Sequence, residues 1–262
     1  MNTLEHLLDE YKSLGIGEQI DYDKFHLYSI ITHSTAIEGS TITEIENQLL
    51  FDDGISPNRP IAEQLMNLDL KAAYGEAFRI AAERRPITVD VLCQLAAPVM
   101  KNTGAKYSTA LGEFDAAKGE LRRLNVSAGR GGASYMAWQK VSARLQDFCA
   151  WLGEARKNLG GMTVEQIYTA SFEAHYCLAK IHPWADGNGR MARLLMNLVQ
   201  REAGVVLSIV KKEKRAEYIE SLAQAQDREN PAIFLDFMLR HHMENIQEQI
   251  RDYRKSIEDE PL

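Results

Sequence analysis

The sequence predicts an all-α protein, and three observations predict it. Long segments rich in Ala, Leu, Glu, Gln and Arg place apolar residues at helical spacing. Short Pro, Gly and Asn punctuation divides them. Sustained alternation of apolar and polar residues, the mark of half-buried strands, is nearly missing, and its one weak instance is Leu124 and Val126 on an Arg-rich background. With 262 residues, 45% hydrophobic and 26% charged, the chain is long enough for one substantial core, or for a core with a small appended subdomain.

The elements follow in order. Residues 23–38 form the first clear helix, with Leu27, Ile30, Ile31 and Ile37 facing inward and Gly39 where a C-terminal cap belongs. A loop covers residues 51–60. Pro60 then opens a helix to about residue 83, and Thr88 caps another to about residue 100. Between 101 and 136 glycines at 104, 112, 119, 129, 131 and 132 break the pattern, which predicts a small hairpin or flap. A helix resumes near Tyr135 and stops before Gly160-Gly161. Thr163 and Gln166 make a capping box that starts a central helix. Its Val164, Ile167, Ala174, Leu178 and Ile181 repeat as core positions, and it must stop at His182 because Pro183 disfavours helical geometry in the residue before it. A loop over 184–189 leads into a helix from about Arg190 to Gly204, followed by one over 211–226 and one opened by Asn230-Pro231. The terminal RKSIEDEPL is expected to fray.

Charge and composition exclude several classes of function. Thirty basic against 37 acidic residues give a net charge of −7, so no global pull toward nucleic acid or an anionic membrane is expected, and Arg122, Arg123 and Arg130 have no second basic stripe to join. No run of 18 apolar residues occurs, and the opening MNTLEHLLDEYKSLG carries acids where a signal peptide has a basic and then an apolar region. The expectation is a cytoplasmic protein with no membrane partner. Cys93, Cys149 and Cys177 are scattered without a C-x-x-C pair, which argues against a disulfide framework and a structural zinc site.

The chemistry concentrates in IHPWADGNGRMARLLMN, residues 181–197. At helical spacing Arg190, Arg193 and Asn197 share one face, while Met191, Leu194, Leu195 and Leu198 share another that is core. The helix N-terminus favours an anion, and Gly187-Asn188-Gly189 lets the backbone curl its amides into a nest suited to phosphate. Two guanidiniums one turn apart add forked bonds to two further phosphoryl groups, which points to a di- or triphosphate. Asp186 is placed to hold Mg²⁺ against phosphate oxygens. His182 is the one nearby group able to take a proton at neutral pH. Singly, each has a plain reading as a turn, a helix-end histidine or a solvated face; the conjunction favours polyphosphate chemistry. The chain has no G-x-x-x-x-G-K-[ST], H-E-x-x-H or G-x-S-x-G.

His182-Pro-Trp-Ala-Asp186-Gly187-Asn188-Gly189-Arg190-Met-Ala-Arg193 resembles the Fic-domain signature H-x-F-x-[DE]-G-N-G-R-x-x-R, with Trp184 in place of Phe. Gly119-x-Leu-Arg122 and the glycine-rich stretch after it resemble that family's flap, without the proline pair often seen there. Residues 218–238 resemble its closing helices. The resemblance implies a helical Fic core with a short β-hairpin flap and flanking N- and C-terminal helices: residues 1–100 an N-terminal helical region, 101–245 the catalytic core with flap, and 246–262 a helix end and tail. It implies a protein adenylyltransferase that moves AMP from ATP to a Ser, Thr or Tyr hydroxyl of a protein target. His182 would be the base, Asp186 the Mg²⁺ ligand, Gly187, Asn188 and Gly189 the phosphate nest, Arg190 the holder of the β-phosphate and Arg193 of the γ-phosphate. By the same analogy the flap would hold a target segment by strand addition near residues 124–127. Self-modification is also implied, although Tyr107, Ser108 and Tyr135 are merely nearby hydroxyls.

Ser34-Thr-Ala-Ile-Glu38-Gly39 resembles the family's inhibitory motif [ST]-x-x-x-E-[GN]. A carboxylate in the last turn of a helix meets the negative end of the dipole, at about 0.3–1 kcal/mol, so Glu38 is better placed beside a cation. The resemblance names Arg193 as that cation, with Ser34 supporting the pair, which implies a self-inhibited enzyme. Relatives leave other readings open: transfer of UMP, phosphocholine or a γ-phosphate, removal of AMP with the inhibitory Glu, or a nucleotide-binding adaptor without turnover.

Overall fold

The computed structural model describes residues 3–110, 112–127 and 134–258, so Arg130 and the glycines at 129, 131 and 132 lie outside the described residues. Ten α-helices and one two-stranded hairpin are described. None of these helices is long and apolar enough to cross a membrane.

Two N-terminal helices were not expected from the sequence. α1 (Leu4–Ser13) is capped by Thr3 and buries Leu4, Leu7 and Tyr11. α3 (Glu44–Asp52) is opened by a complete capping box between Thr43 and Glu46. Between them, α2 (Tyr22–Ile37) starts one residue earlier than expected, ends at Glu38 and is followed by Gly39 at φ +106°. α4 (Ile61–Ala82) and α5 (Val89–Val99) have the expected bounds, and the Thr88 hydroxyl accepts from the Val91 N–H at 3.2 Å.

The hairpin lies upstream of the Leu124/Val126 alternation. β1 (Lys106–Thr109) and β2 (Gly112–Asp115) pair antiparallel, with Lys106 opposite Asp115 and Tyr107 stacked on Phe114 at 4.9 Å. Around Leu124 the two arms meet, among the described residues, at an isolated antiparallel bridge, Ser127 to Ser134. A cross-strand aromatic pair is what holds so short a ribbon, and the 124–126 segment has none.

α6 (Trp138–Lys157), α7 (Val164–Ile181), α8 (Asn188–Ala203), α9 (Arg215–Asp227) and α10 (Ala232–Glu258) complete the chain. The Thr163/Gln166 capping box is present at the start of α7. α7 and α8 form the most extensive helix pair, and α4 covers α8. Met191, Leu194, Leu195 and Leu198 of α8 are all 0% exposed, as the helical stripe requires. Of the stretch expected to fray, residues 254–258 continue α10, where Arg254 pairs with Glu10 at 2.8 Å and Ile250 packs on α1 just before it, while residues 259–262 lie outside the described residues.

Candidate active site

The loop between α7 and α8 begins on a strained residue. His182 ends α7 in the left-handed region, φ 53° and ψ 63°, which costs a non-glycine residue roughly 1–2 kcal/mol. Arg122 holds it there. Its backbone N–H donates to the Pro183 carbonyl at 3.0 Å and its Nε to the His182 carbonyl at 2.7 Å. The remaining nitrogens donate to the carbonyls of Leu124 (2.8 Å) and Met136 (2.5 Å). One guanidinium, 1% exposed, thus ties both arms of the flap to the backbone of the expected base. Burial pulls its pKa down, and carbonyl dipoles supply the solvation it has lost. Nothing in the sequence marks Arg122 as buried, since it stands beside the exposed Arg123.

The loop then closes on itself. Asn188 accepts from the Trp184 N–H at 3.0 Å and donates Nδ2 to the Trp184 carbonyl at 2.9 Å. The Asn188 side chain is therefore spent on shaping the loop. Trp184 is 0% exposed, and its indole N–H donates to the Gly119 carbonyl at 3.0 Å, a bond that a phenylalanine cannot make. Gly187 takes φ +75° with its N–H on Asp186 Oδ1 at 2.6 Å. At Gly189 a Cβ would stand 2.6 Å from Glu38 Oε1, so a carboxylate already lies against the first turn of α8.

The two arginines are both buried, at 3% and 2% exposure, and differently engaged. Arg190 donates Nη1 to the Val99 carbonyl (3.0 Å) and to Thr103 (3.3 Å), sits 3.6 Å from Asp186, and leaves Nε without a partner among the described residues. Arg193 has every nitrogen engaged. Nε donates to Ser34 Oγ at 2.8 Å, Nη2 to the Ser34 carbonyl at 2.9 Å and to Glu38 Oε1 at 2.6 Å, and Nη1 to the Tyr218 hydroxyl at 3.3 Å. Ser34 is thus a direct partner of Arg193. The Tyr218 hydroxyl is hydrogen-bonded in turn to His175 Nε2 at 2.8 Å, and burial pushes His175 down to about 3, so that ring is neutral. Tyr218 lies on α9 and His175 on α7, both outside the signature, and no local pattern marks them. Asn197, expected on the same face as the arginines, is a core residue: it accepts from Tyr74 at 2.7 Å and donates to the Ser208 carbonyl at 3.0 Å.

Burial alone would raise the Glu38 carboxyl, but Arg193, with Arg190 and Arg215 behind it, outweighs that and holds it below its ordinary value. Burial pushes His182 down to about 4, assisted by Arg122 and opposed by its Ala179 contact, Asp186 and Glu38. Its Nδ1 faces the Ala179 carbonyl at 3.4 Å, so the Nε2 lone pair is the free one. Among the described residues no cluster of three or more His, Cys, Asp or Glu suits a metal ion. Magnesium held by one carboxylate and phosphate oxygens needs no such cluster, and Asp186, with its side chain 57% exposed at the mouth of the glycine turn, fits that role.

An imidazole, an accessible carboxylate and two buried guanidiniums thus gather around a glycine-rich helix N-terminus in a helical domain, groups whose chemistry suits a polyphosphate. Residues 86–200 match the model of the Fic/DOC family, so this stretch of the chain carries a Fic/DOC domain. Similar curated proteins include protein adenylyltransferase fic-1 of Caenorhabditis elegans, 27% identical over 257 residues that make up 95% of this chain and 46% of that one. Another is protein adenylyltransferase Fic of Drosophila melanogaster, 29% identical over 206 residues, 77% of this chain and 37% of that one. The chain thus spans less than half the length of either relative. A Fic-domain-containing signalling protein from Bacteroides thetaiotaomicron has the same fold, with TM-score 0.76 and 21% identity over 96% of this chain and 97% of that one. The C. elegans Fic-1 fragment aligns with TM-score 0.73 and 24% identity, covering 97% of this chain and 72% of that one.

Proposed function

We propose that the chain is a protein adenylyltransferase, transferring AMP from ATP to a Ser, Thr or Tyr hydroxyl of a protein target, and that it holds itself inactive through Glu38. The observation that carries the reading is the engagement of Arg193, with Glu38 Oε1 2.6 Å from its Nη2 and beside Gly189. Four of its five N–H donors are already engaged, and the Glu38 carboxylate stands against Gly189 where a γ-phosphate would have to meet the guanidinium. Its Nη atoms lie beside Gly189 and Arg190 Nη2 beside Gly187, so with Glu38 withdrawn the two would clamp the β- and γ-phosphates at the first turn of α8. Gly187, Asn188 and Gly189 form the turn that receives the phosphates, and Asp186 would hold Mg²⁺, which neutralises phosphate charge when bound.

In the reaction His182 Nε2 takes the proton of the target hydroxyl as its oxygen forms a bond to the α-phosphorus. The bond from that phosphorus to the bridging oxygen breaks, and pyrophosphate leaves with the electron pair. A neutral His182 is ready for that proton, and Arg122 keeps its backbone in place. The names of the relatives, all protein adenylyltransferases, support AMP as the group moved. Self-modification and a cytoplasmic setting belong to the same reading, the latter supported by the free thiols of Cys93, Cys149 and Cys177. The test is transfer to protein by Glu38→Gly from ATP, UTP, GTP and CDP-choline. Label from the α-phosphate of ATP is the expected product; label from the γ-phosphate, or from another donor alone, replaces the reading.

A further inference from the structure

Tyr135 makes the closest ring contact to His182. The phenol and imidazole rings lie face to face, 3.6 Å between centroids and 12° between planes. Tyr135 belongs to the flap: its N–H donates to the Val126 carbonyl at 3.0 Å, and its neighbour Met136 gives its carbonyl to Arg122. The imidazole needs such a support. Rotation about χ2 of histidine is a broad, two-fold torsion, and the bond from Nδ1 to the Ala179 carbonyl is long, at 3.4 Å. That bond alone does not hold the ring plane.

We propose that Tyr135 is a positioning residue for the base: its stacked ring sets the plane of the His182 imidazole and so aims Nε2 at the target hydroxyl. The proposal rests on His182 acting as base in the transfer described above. The flap then holds His182 twice, by its backbone through Arg122 and by its ring through Tyr135. A target segment that orders the flap also orders the base, which couples target binding to proton transfer. The ring carries this role rather than the hydroxyl, because the stacked faces make the contact. Other charged groups acting on the imidazole are Arg122, which disfavours its protonation, and Asp186 and Glu38, which favour it. Tyr135 adds no charge and shields one face from water.

Two measurements on Tyr135→Phe, Tyr135→Leu and Tyr135→Ala test this. The first is the rate of protein labelling from ATP carrying label on the α-phosphate, at pH 8 in the Glu38→Gly background. The second is the NMR pH titration of His182 in protein with ¹³C-labelled histidine, which needs no turnover. Tyr135→Phe is expected to keep both values. Tyr135→Leu keeps apolar bulk without a flat face, and both it and Tyr135→Ala are expected to lose about tenfold in rate at pH 8, where the imidazole is neutral in every variant. Tyr135→Ala is also expected to move the His182 midpoint from about 4 at least one unit toward 6.5. An unchanged rate in Tyr135→Ala, or a loss in Tyr135→Phe as large as in Tyr135→Ala, overturns the proposal. If the Glu38→Gly parent transfers nothing, the adenylyltransferase reading fails, and the titration alone then judges the stack: an unmoved midpoint in Tyr135→Ala removes it.

Discussion

Glu38 and Arg193, 155 residues apart, meet at 2.6 Å between Oε1 and Nη2, and the same guanidinium donates Nε to Ser34 Oγ at 2.8 Å. The last turn of α2 is thereby fastened to the first turns of α8.

Ser34→Ala removes one of those contacts and leaves Glu38 in place. A hydrogen bond to a charged donor is worth about 1.5 kcal/mol or more, so basal labelling from ATP is expected to rise about tenfold. It should stay below the Glu38→Gly level. Equal labelling by wild type and Ser34→Ala would show that the serine takes no part in holding Arg193.

Arg122→Leu leaves three carbonyls, those of His182, Leu124 and Met136, without their guanidinium donor. Denaturant unfolding should show a loss of roughly 2–4 kcal/mol, and hydrogen exchange should speed up from residue 122 to residue 136. A loss below about 0.5 kcal/mol would place this arginine on an ordinary surface.

The pH dependence follows from two depressed pKa values. The imidazole of His182 stays in its neutral, basic form as pH falls from 8 until it nears about 4. In Glu38→Gly the rate should therefore be level from pH 8 to 5.5, where a histidine titrating near 6.5 would be only about one tenth neutral. Removing Glu38 takes away a group that favours protonation, so the variant does not raise the midpoint. Wild type should not be released by mild acid. Glu38 titrates below its ordinary value, so the pair forms above that pKa and is lost only as pH falls through it. A rate midpoint near 6.5, or activation of wild type between pH 7 and 5.5, would contradict these signs.

Asp186→Asn tests the metal. In Glu38→Gly, Mg²⁺ should raise the melting temperature of the ATP complex beyond that with ATP and a chelator. In Asp186→Asn that increment is expected to vanish, while the shift given by ATP alone remains. An undiminished Mg²⁺ increment would move the ion away from Asp186.

Most of the helical core was legible because its boundaries are chemical. Thr88, the Thr163/Gln166 pair, Pro60, Pro183 and Gly204 each stop or start a helix for a local reason. α3 was missed although Thr43-x-x-Glu46 spells a capping box, because the nine-residue helix carries only a weak apolar stripe. α1 is hard to read because its Leu4, Leu7 and Tyr11 find many of their partners on α7 and α10, far along the chain. In the site, the residues on the short signature are close together by sequence. Arg122, Tyr135 and Tyr218 come from elements that only tertiary packing unites with it, and nothing local distinguishes a buried guanidinium from an exposed one. The sequence places Arg122 in the flap-like stretch and beside other arginines, but only the structure shows the three backbone carbonyls that surround it.

On the function proposed above, the engagement of Arg193 by Glu38 silences an otherwise competent active site. Protein labelling from ATP with label on the α-phosphate, compared among wild type, Glu38→Gly and Glu38→Gly/His182→Ala, tests it most directly. A bias of about 3 kcal/mol toward the closed pair leaves about 1% of molecules competent, so Glu38→Gly is predicted to label up to about a hundredfold faster than wild type, and the double variant to return to background. Equal labelling by wild type and Glu38→Gly, or label persisting without His182, would contradict it.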